Sequence, residues 1–588
     1  MIQDLRFKIQ DLRYTMKYIR EYIMKSNMTR KAKTFLSALL SALVFVIIPS
    51  VQTAAQELNK DVYVVRPYEP TLSDASKYSF LPSTEDVESK PPHFNYTIAP
   101  KQLENSFVPN PIKAAKTVTT SLPKIYNSWL KLAMGNYNTP LIAFNISNLR
   151  SKDFTYGAYL YHKSSHGKIS LPNNHKVPAG YVVNNINLYG KRFYPKTTLS
   201  GNLRLDQNAF NYYGYNTELF SVPFPDIDRD STRQRNYLGG VDLGIASGNA
   251  SDVQLNYNIS ASLDYLVDKQ KYNEFNSVIK AGLNKDIYGI LWGLDLSLDY
   301  SKLNGAEDSI INTIFRFNPW ISKKSNDWHF MLGFEAVADH IEITSFYVYP
   351  RVNLDIIIIE NVLVPFIGLS GELRKNSYRN ILKENHFIIP GTSLKNDSKN
   401  LVAYGGLKGS ISSVVQFRAD ISYTIFKNYH FFVNDTSALV PMENKFTGVY
   451  DDIDLITYHA QLGVQPSGSF EFLIDGKYFD YKTFDQVKPW HKPDFEMGLN
   501  ATYKFSSKFS TGLDVTITGN RWVPNYQHSE GMVKLNPVAD INLNLNYHFS
   551  KVLTIFADAY NLADRSYMIW NQYPSQRFNF LIGFSYKL

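Results

Sequence analysis

The sequence predicts an all-β fold, a single transmembrane antiparallel β-barrel of about 22 strands, on three observations. Apolar and polar residues alternate, strand after strand, from about residue 125 to Leu588. Connections sort by parity, with long loops at one end and tight turns at the other. A short leader-like apolar run precedes the alternation, and no other window is apolar for long enough to cross a bilayer as a helix.

Residues 1–55 read as an upstream extension followed by a signal peptide. Arg30, Lys31 and Lys33 supply a positive start, Phe35 to Ile48 a short apolar core, and Thr53-Ala54-Ala55 a small-residue cleavage site before Gln56. The duplication IQDLRFKIQDLRY at residues 2–14 has no place in a signal, which favours Met24 or Met28 as the start. Residues 56–124 lack sustained alternation and are punctuated by prolines from Pro67 to Pro111. They are expected to form an extended segment, periplasmic or lumen-filling.

Residues 125–588 carry the barrel. Val253, Leu255, Tyr257, Ile259, Ala261 and Leu263 oppose Gln254, Asn256, Asn258, Ser260 and Ser262, and a strand turns such a period of two into one apolar and one polar face. The last strands repeat the pattern: Ile541, Leu543, Leu545 and Tyr547 against Asn542, Asn544, Asn546 and His548, then Phe580, Ile582, Phe584, Tyr586 and Leu588. Phe556 and Tyr560 are exceptions on the polar face. Alternation alone fits a soluble sandwich as well. Parity separates the two, because the long connections 207–235, 375–399, 427–456, 520–536 and 563–577 all join odd to even strands. The connections between them are tight, as at Tyr288-Gly289, Ser506-Ser507 and Ser550-Lys551. Long loops outside and tight turns at the periplasm predict the outer membrane of a Gram-negative cell, with outer-membrane lipid against the apolar face.

Composition removes several function classes. Aromatics make up 14%, with 41 Tyr and 37 Phe, and mean hydropathy is −0.25, as expected of alternating rather than uniformly apolar spans. With no cysteine there is no disulfide framework, thiolate metal site, cysteine nucleophile or lipidated cysteine anchor. A net charge of +8 without a basic cluster interleaved with aromatics argues against nucleic acid as a partner. Neither G-x-S-x-G nor H-E-x-x-H occurs, so no enzyme and no catalytic residue is expected. His162, His166, His386, His430, His491 and His528 lie in or near loops without ligand spacing, and no metal or other cofactor is expected. Asp226, Asp228 and Asp230 alternate as in a calcium loop, but Ser231 stands where glycine should turn the chain and Tyr237 where glutamate should close it. They read as a solvated acidic loop.

The ending from Leu553 through Asn561-Leu562-Ala563-Asp564-Arg565-Ser566-Tyr567 to the aromatic last strand resembles the close of a TonB-dependent receptor barrel. The resemblance covers roughly residues 125–588 and implies a receptor for a bulky nutrient, with TonB as a periplasmic partner. It stops at the N-terminus. The family's plug is a folded domain larger than residues 56–124 can build, so the chain is similar to a plug-less, Bacteroidetes-type relative. Asp61, Val62, Tyr63, Val64 and Val65 are similar to the family's TonB box, which implies strand addition to the partner.

Tyr212, Tyr213, Tyr215, Trp522, Tyr526, Trp570 and Tyr573 fall in predicted external loops. Their rings offer stacking area to a ligand or protein partner, or serve as the barrel's upper girdle. Two functions remain open. One is uptake by a receptor-like barrel; the alternative is a non-transporting structural subunit of an outer-membrane protein complex, with a protein partner closing the lumen.

Overall fold

The alternation resolves into 22 strands hydrogen-bonded in one closed antiparallel sheet. A computed structural model describes residues 126–148, 151–217, 229–248, 255–305, 309–437, 440, 442–525 and 531–588. The leader, residues 56–124 with the box at 61–65, Asp226, Asp228, Tyr526 and His528 lie outside the described residues. The first strand, Ser128–Gly135, pairs with the second, Thr139–Ser147, and with the last, Asn579–Lys587, which closes the sheet. Ser128 and Leu588 exchange backbone hydrogen bonds at the rim that also carries the tight turns. That rim is periplasmic in outer-membrane barrels, and the long connections therefore sit outside.

The strands sort their side chains as the period of two requires. On Thr197–Asn211, Leu199, Leu203 and Leu205 face outward, while Arg204 turns inward to Asp242 at 2.8 Å and Asp264 at 2.9 Å. Elsewhere on the inner wall Arg351 meets Asp295 at 3.2 Å, and His459 lies between Asp420 at 3.0 Å and Asp475 at 2.8 Å. Away from the membrane edge charge keeps to the inner face, because hydrocarbon offers an unpaired charge nothing, whereas a wet lumen solvates pairs; Arg192, on the outer face, lies at the edge over Phe154 and Tyr194. The two aromatic exceptions also face the lumen. Lys131 Nζ lies 3.9 Å from the centre of the Phe556 ring, and Lys163 Nζ 5.2 Å from that of Tyr560, so cations cover the rings.

The structure departs furthest from the predicted strand ends in one region. Val415–Asn434 and Phe446–Ser467 run on past the expected limits of 426 and 457, pairing as far as Asn434 and Phe446. The extension carries His430-Phe431-Phe432-Val433, apolar on both faces, with Phe431 and Phe432 fully buried. Such a ribbon is stable above the membrane only if other loops cover both sides. They do. The predicted loops also contain short hairpins at Lys168–Ser170 with Lys176–Pro178 and at Arg521–Pro524 with Met532–Leu535, and a helix at Tyr378–Glu384.

Candidate functional site

The external loops fold into a cap with its own core. Buried in it are Ile169, Leu171 and Val177 from one loop, Phe210, Tyr212, Tyr213 and Tyr215 from the next, and Tyr378, Leu382, Phe387 and Ile388 from the loop after Val364–Arg374. Phe432 and Phe446, from the next external loop, and Tyr573, from the last one, complete it. Since these segments leave the sheet at points spread around its circumference, their meeting covers the mouth.

Backbone acceptors and aromatic hydroxyls tie the loops together. Tyr212 Oη donates to the Ile388 carbonyl at 3.1 Å, Tyr213 Oη to the Pro574 carbonyl at 2.8 Å, and Tyr573 Oη to the Asn444 carbonyl. The Tyr573 ring stacks on Phe387 with centroids 3.7 Å apart and presents an edge to Tyr213 at 4.9 Å. Phe432 meets Trp570 edge-on at 5.3 Å. Trp522 belongs to a second cluster with Phe431, Ile453 and Trp490, and Lys488 Nζ lies 5.0 Å above its ring. Of the aromatics predicted for ligand or partner contact, Tyr212, Tyr213, Tyr215 and Tyr573 thus give nearly all their surface to the cap.

Beneath the aromatic layer lies a polar one that no motif announced. The helix Tyr378–Glu384 begins at Ser377, whose Oγ accepts from the Asn380 N–H. Its first free N–H groups, on Tyr378 and Arg379, donate to the buried Glu274 carboxylate at 2.9 Å each, the arrangement a helix N-terminus favours for an anion. Asp397, fully buried, accepts from Arg374, from Asn376 Nδ2 and from His430 Nδ1 at 2.9 Å. His430 Nε2 faces Glu384 at 2.8 Å, and Lys492 Nζ reaches Glu384 at 2.8 Å. Burial works to raise the Glu384 carboxyl, but the His430 bond and the Lys492 ammonium overcome it and hold the group below the usual carboxylate range. A cavity of about 330 Å³ adjoins this network, lined by Arg374, Lys375, Asn380, Lys383, Glu384 and His430. Among the described residues no cluster of His, Asp and Glu has the grouping that would hold a metal ion.

His491 pins three loops. Its Nδ1–H donates to the Phe432 carbonyl at 2.8 Å and its Nε2 accepts from the Asn571 N–H at 3.3 Å, a pairing that only the neutral ring can make. Burial, with Arg521 and Lys492 nearby, pushes its pKa down to about 3. A base whose folded pKa is depressed takes up a proton more readily when released, so the pin holds in full above about pH 6.5 and weakens as pH falls toward 3. At pH 5 the loss is about 2 kcal/mol. Protection of the amides of 430–437, corrected for the intrinsic slowing of exchange at lower pH, is therefore expected to fall between pH 7.5 and pH 5, and His491→Gln to flatten that response. Equal protection at both pH values would refute the pin.

The aromatic positions were legible as loop aromatics but not as a core. The missed signal is the run Phe387-Ile388-Ile389-Pro390 inside a predicted external loop, too apolar for solvent. Glu274, Asp397 and His430 carry no local signal at all, since their partners lie far away in sequence.

No family model and no curated relative matches the sequence. Solved structures match in shape. The chain is similar to the siderophore receptor PirA from Acinetobacter baumannii, with a TM-score of 0.62 at 11% identity over 79% of this chain and 81% of that one. It is similar to the FrpB iron transporter from Neisseria meningitidis, with a TM-score of 0.63 at 10% identity over 79% and 82%. It is also similar to the copper transporter OprC, with a TM-score of 0.58 at 10% identity over 79% and 84%. The chain thus has the 22-stranded outer-membrane barrel fold of TonB-dependent receptors, the fold its C-terminal sequence resembles.

Proposed function

We propose that the chain is a receptor-like outer-membrane barrel that admits a bulky nutrient through its external mouth, with the cap as the part that moves. The observation that carries this reading is a charged lumen of 22 strands lying beneath loops that pack on one another. Nothing large passes such a barrel unless the cap opens. The neighbours in shape are named as siderophore, iron and copper receptors or transporters, which supports uptake as the class and leaves the nutrient itself open.

Coupling enters through Asp61 to Val65, which would add as a strand to a periplasmic TonB partner through backbone hydrogen bonds. A peptide of residues 57–70 is expected to bind the C-terminal domain of TonB, and Val62→Pro with Val64→Pro to abolish binding, because proline removes two ladder donors. Equal affinity of both peptides, or none for either, would sink the coupling.

One observation favours the second reading, a structural subunit of a membrane complex. Tyr212, Tyr213, Tyr215 and Tyr573 leave almost no ring surface for a small ligand, and a cap packed this way presents a formed surface to a protein. A stoichiometric partner recovered from solubilised outer membranes, with nutrient uptake unchanged on deletion, would support that reading over uptake.

A further inference from the structure

Around the sheet, one seam is unlike the rest. Thr344–Ile356 and Val364–Arg374 pair through only four residue pairs, Val352↔Leu369 to Asp355↔Phe366, all in the half nearest the periplasm. Every other seam has at least six, the next shortest being Leu543–His548 with Thr554–Ala559. Thr344–Arg351 pairs fully with its other neighbour, Trp328–His340, while on this side it runs against Ser370–Arg374 without a hydrogen-bond ladder. The consequence is visible outside. Phe346 and Val348 are 78% and 71% exposed, against 44% for Leu332 and Phe334 on the adjoining strand.

An unanswered backbone in hydrocarbon is costly, and this seam carries substitutes for the missing ladder. Pro350 has no N–H to leave unpaired. The Leu373 carbonyl accepts from Arg316 Nη2 at 3.0 Å, a side-chain bond in place of a backbone one. The Tyr349 ring lies over Gly371, where a Cβ would come within 2.7 Å of it, and its hydroxyl pairs with Ser398 Oγ at 2.6 Å on the strand beyond. Tyr349 therefore lies across the unladdered seam as a latch held by one hydrogen bond. Behind it Ile314, Val337, Tyr349 and Leu373 form a small buried apolar cluster, flanked on the lumen wall by the Arg316–Glu335 pair at 3.7 Å.

We propose that the seam between Thr344–Arg351 and Ser370–Arg374 is a lateral opening through which an acyl chain of an outer-leaflet lipid reaches the cluster of Ile314, Val337 and Leu373. Apolar residues outside and the buried apolar patch inside are separated only by this seam and its latch, so parting the seam would join them. A partner's β-strand is the poorer occupant, because Pro350 and the Arg316 bond have already removed groups it would pair with. The inference stands apart from nutrient uptake, since it needs neither TonB nor an open cap.

Photocrosslinking in intact outer membranes tests it, with the membrane's own lipid as probe. Tyr347, on the lumen side beside Tyr349, is replaced by p-benzoylphenylalanine, and Phe346, facing out, by the same residue as a control for folding and depth. Fatty-acyl adducts are expected at both positions, and Tyr349→Phe, which removes the latch hydroxyl, should raise those at Tyr347 several-fold while leaving Phe346 unchanged. Lipid adducts at Phe346 with only protein adducts at Tyr347 would overturn the proposal. Hydrogen exchange gives an independent reading: amides of 370–374 should exchange faster than those of 366–369, and faster again in Tyr349→Phe. Equal, slow exchange across the strand would also overturn it.

Discussion

Replacing Asp397 with alanine is expected to destabilise the external cap by about 3–5 kcal/mol, the usual cost of stripping one partner from a buried charge cluster. The carboxylate is fully buried and answers Arg374, Asn376 and His430 at once. Without it, a guanidinium and a ring wedged against Glu384 are left beneath the aromatic layer with one counter-charge instead of two. Asp397→Asn keeps the volume and one acceptor and should cost roughly half as much. Lys482→Ala, which removes an exposed ion pair with Asp454 at 3.6 Å, should stay within about 0.5 kcal/mol. Amide exchange across residues 376–396 measures all three. A cap unchanged in Asp397→Ala would mean that the cluster is incidental to it.

Tyr573→Ala should act on the aromatic layer with similar force, about 3–5 kcal/mol for a large buried ring. It removes the stack on Phe387, the edge contact with Tyr213 and the bond to the Asn444 carbonyl, which join loops from opposite sides of the mouth. An effect of that size multiplies the open fraction of the cap by about 10² to 4 × 10³. Whether the barrel then conducts depends on what lies below. If residues 56–124 close the periplasmic side, Tyr573→Ala alone will not admit a large antibiotic, and neither will deletion of residues 66–120 alone. Only the two together will. Entry in Tyr573→Ala alone would remove the lumen-closing role from the segment, and no entry in the double variant would place the barrier within the barrel itself.

Which elements the chain states locally follows from where lipid and water impose a period on it. Leu513, Val515 and Ile517 against Asp514, Thr516 and Thr518 state their strand and both its faces without help, because lipid on one side and water on the other demand a strict period of two. Above the membrane that demand lapses. Val415–Asn434 loses its alternation at His430-Phe431-Phe432, and a rule tuned to lipid stops counting strand there although the ladder continues. Tyr212, Tyr213, Tyr215 and Tyr573 could be singled out by type and loop position, but which way the rings turn is set by Phe387 and Phe446, which arrive from other loops.

The barrel's strand number, its two faces, its orientation and the side on which the long loops stand are all written locally in the chain, since each follows from periodicity and connection length. The closing of the loops into a cap, the hold of Asp397 and His491 on it, and the one seam short of its ladder arise in the folded molecule. These depend on contacts between residues tens to hundreds of positions apart. No local pattern encodes them, because the burial of a loop aromatic or the pairing of a buried charge exists only once the sheet has closed and brought the loops over one mouth.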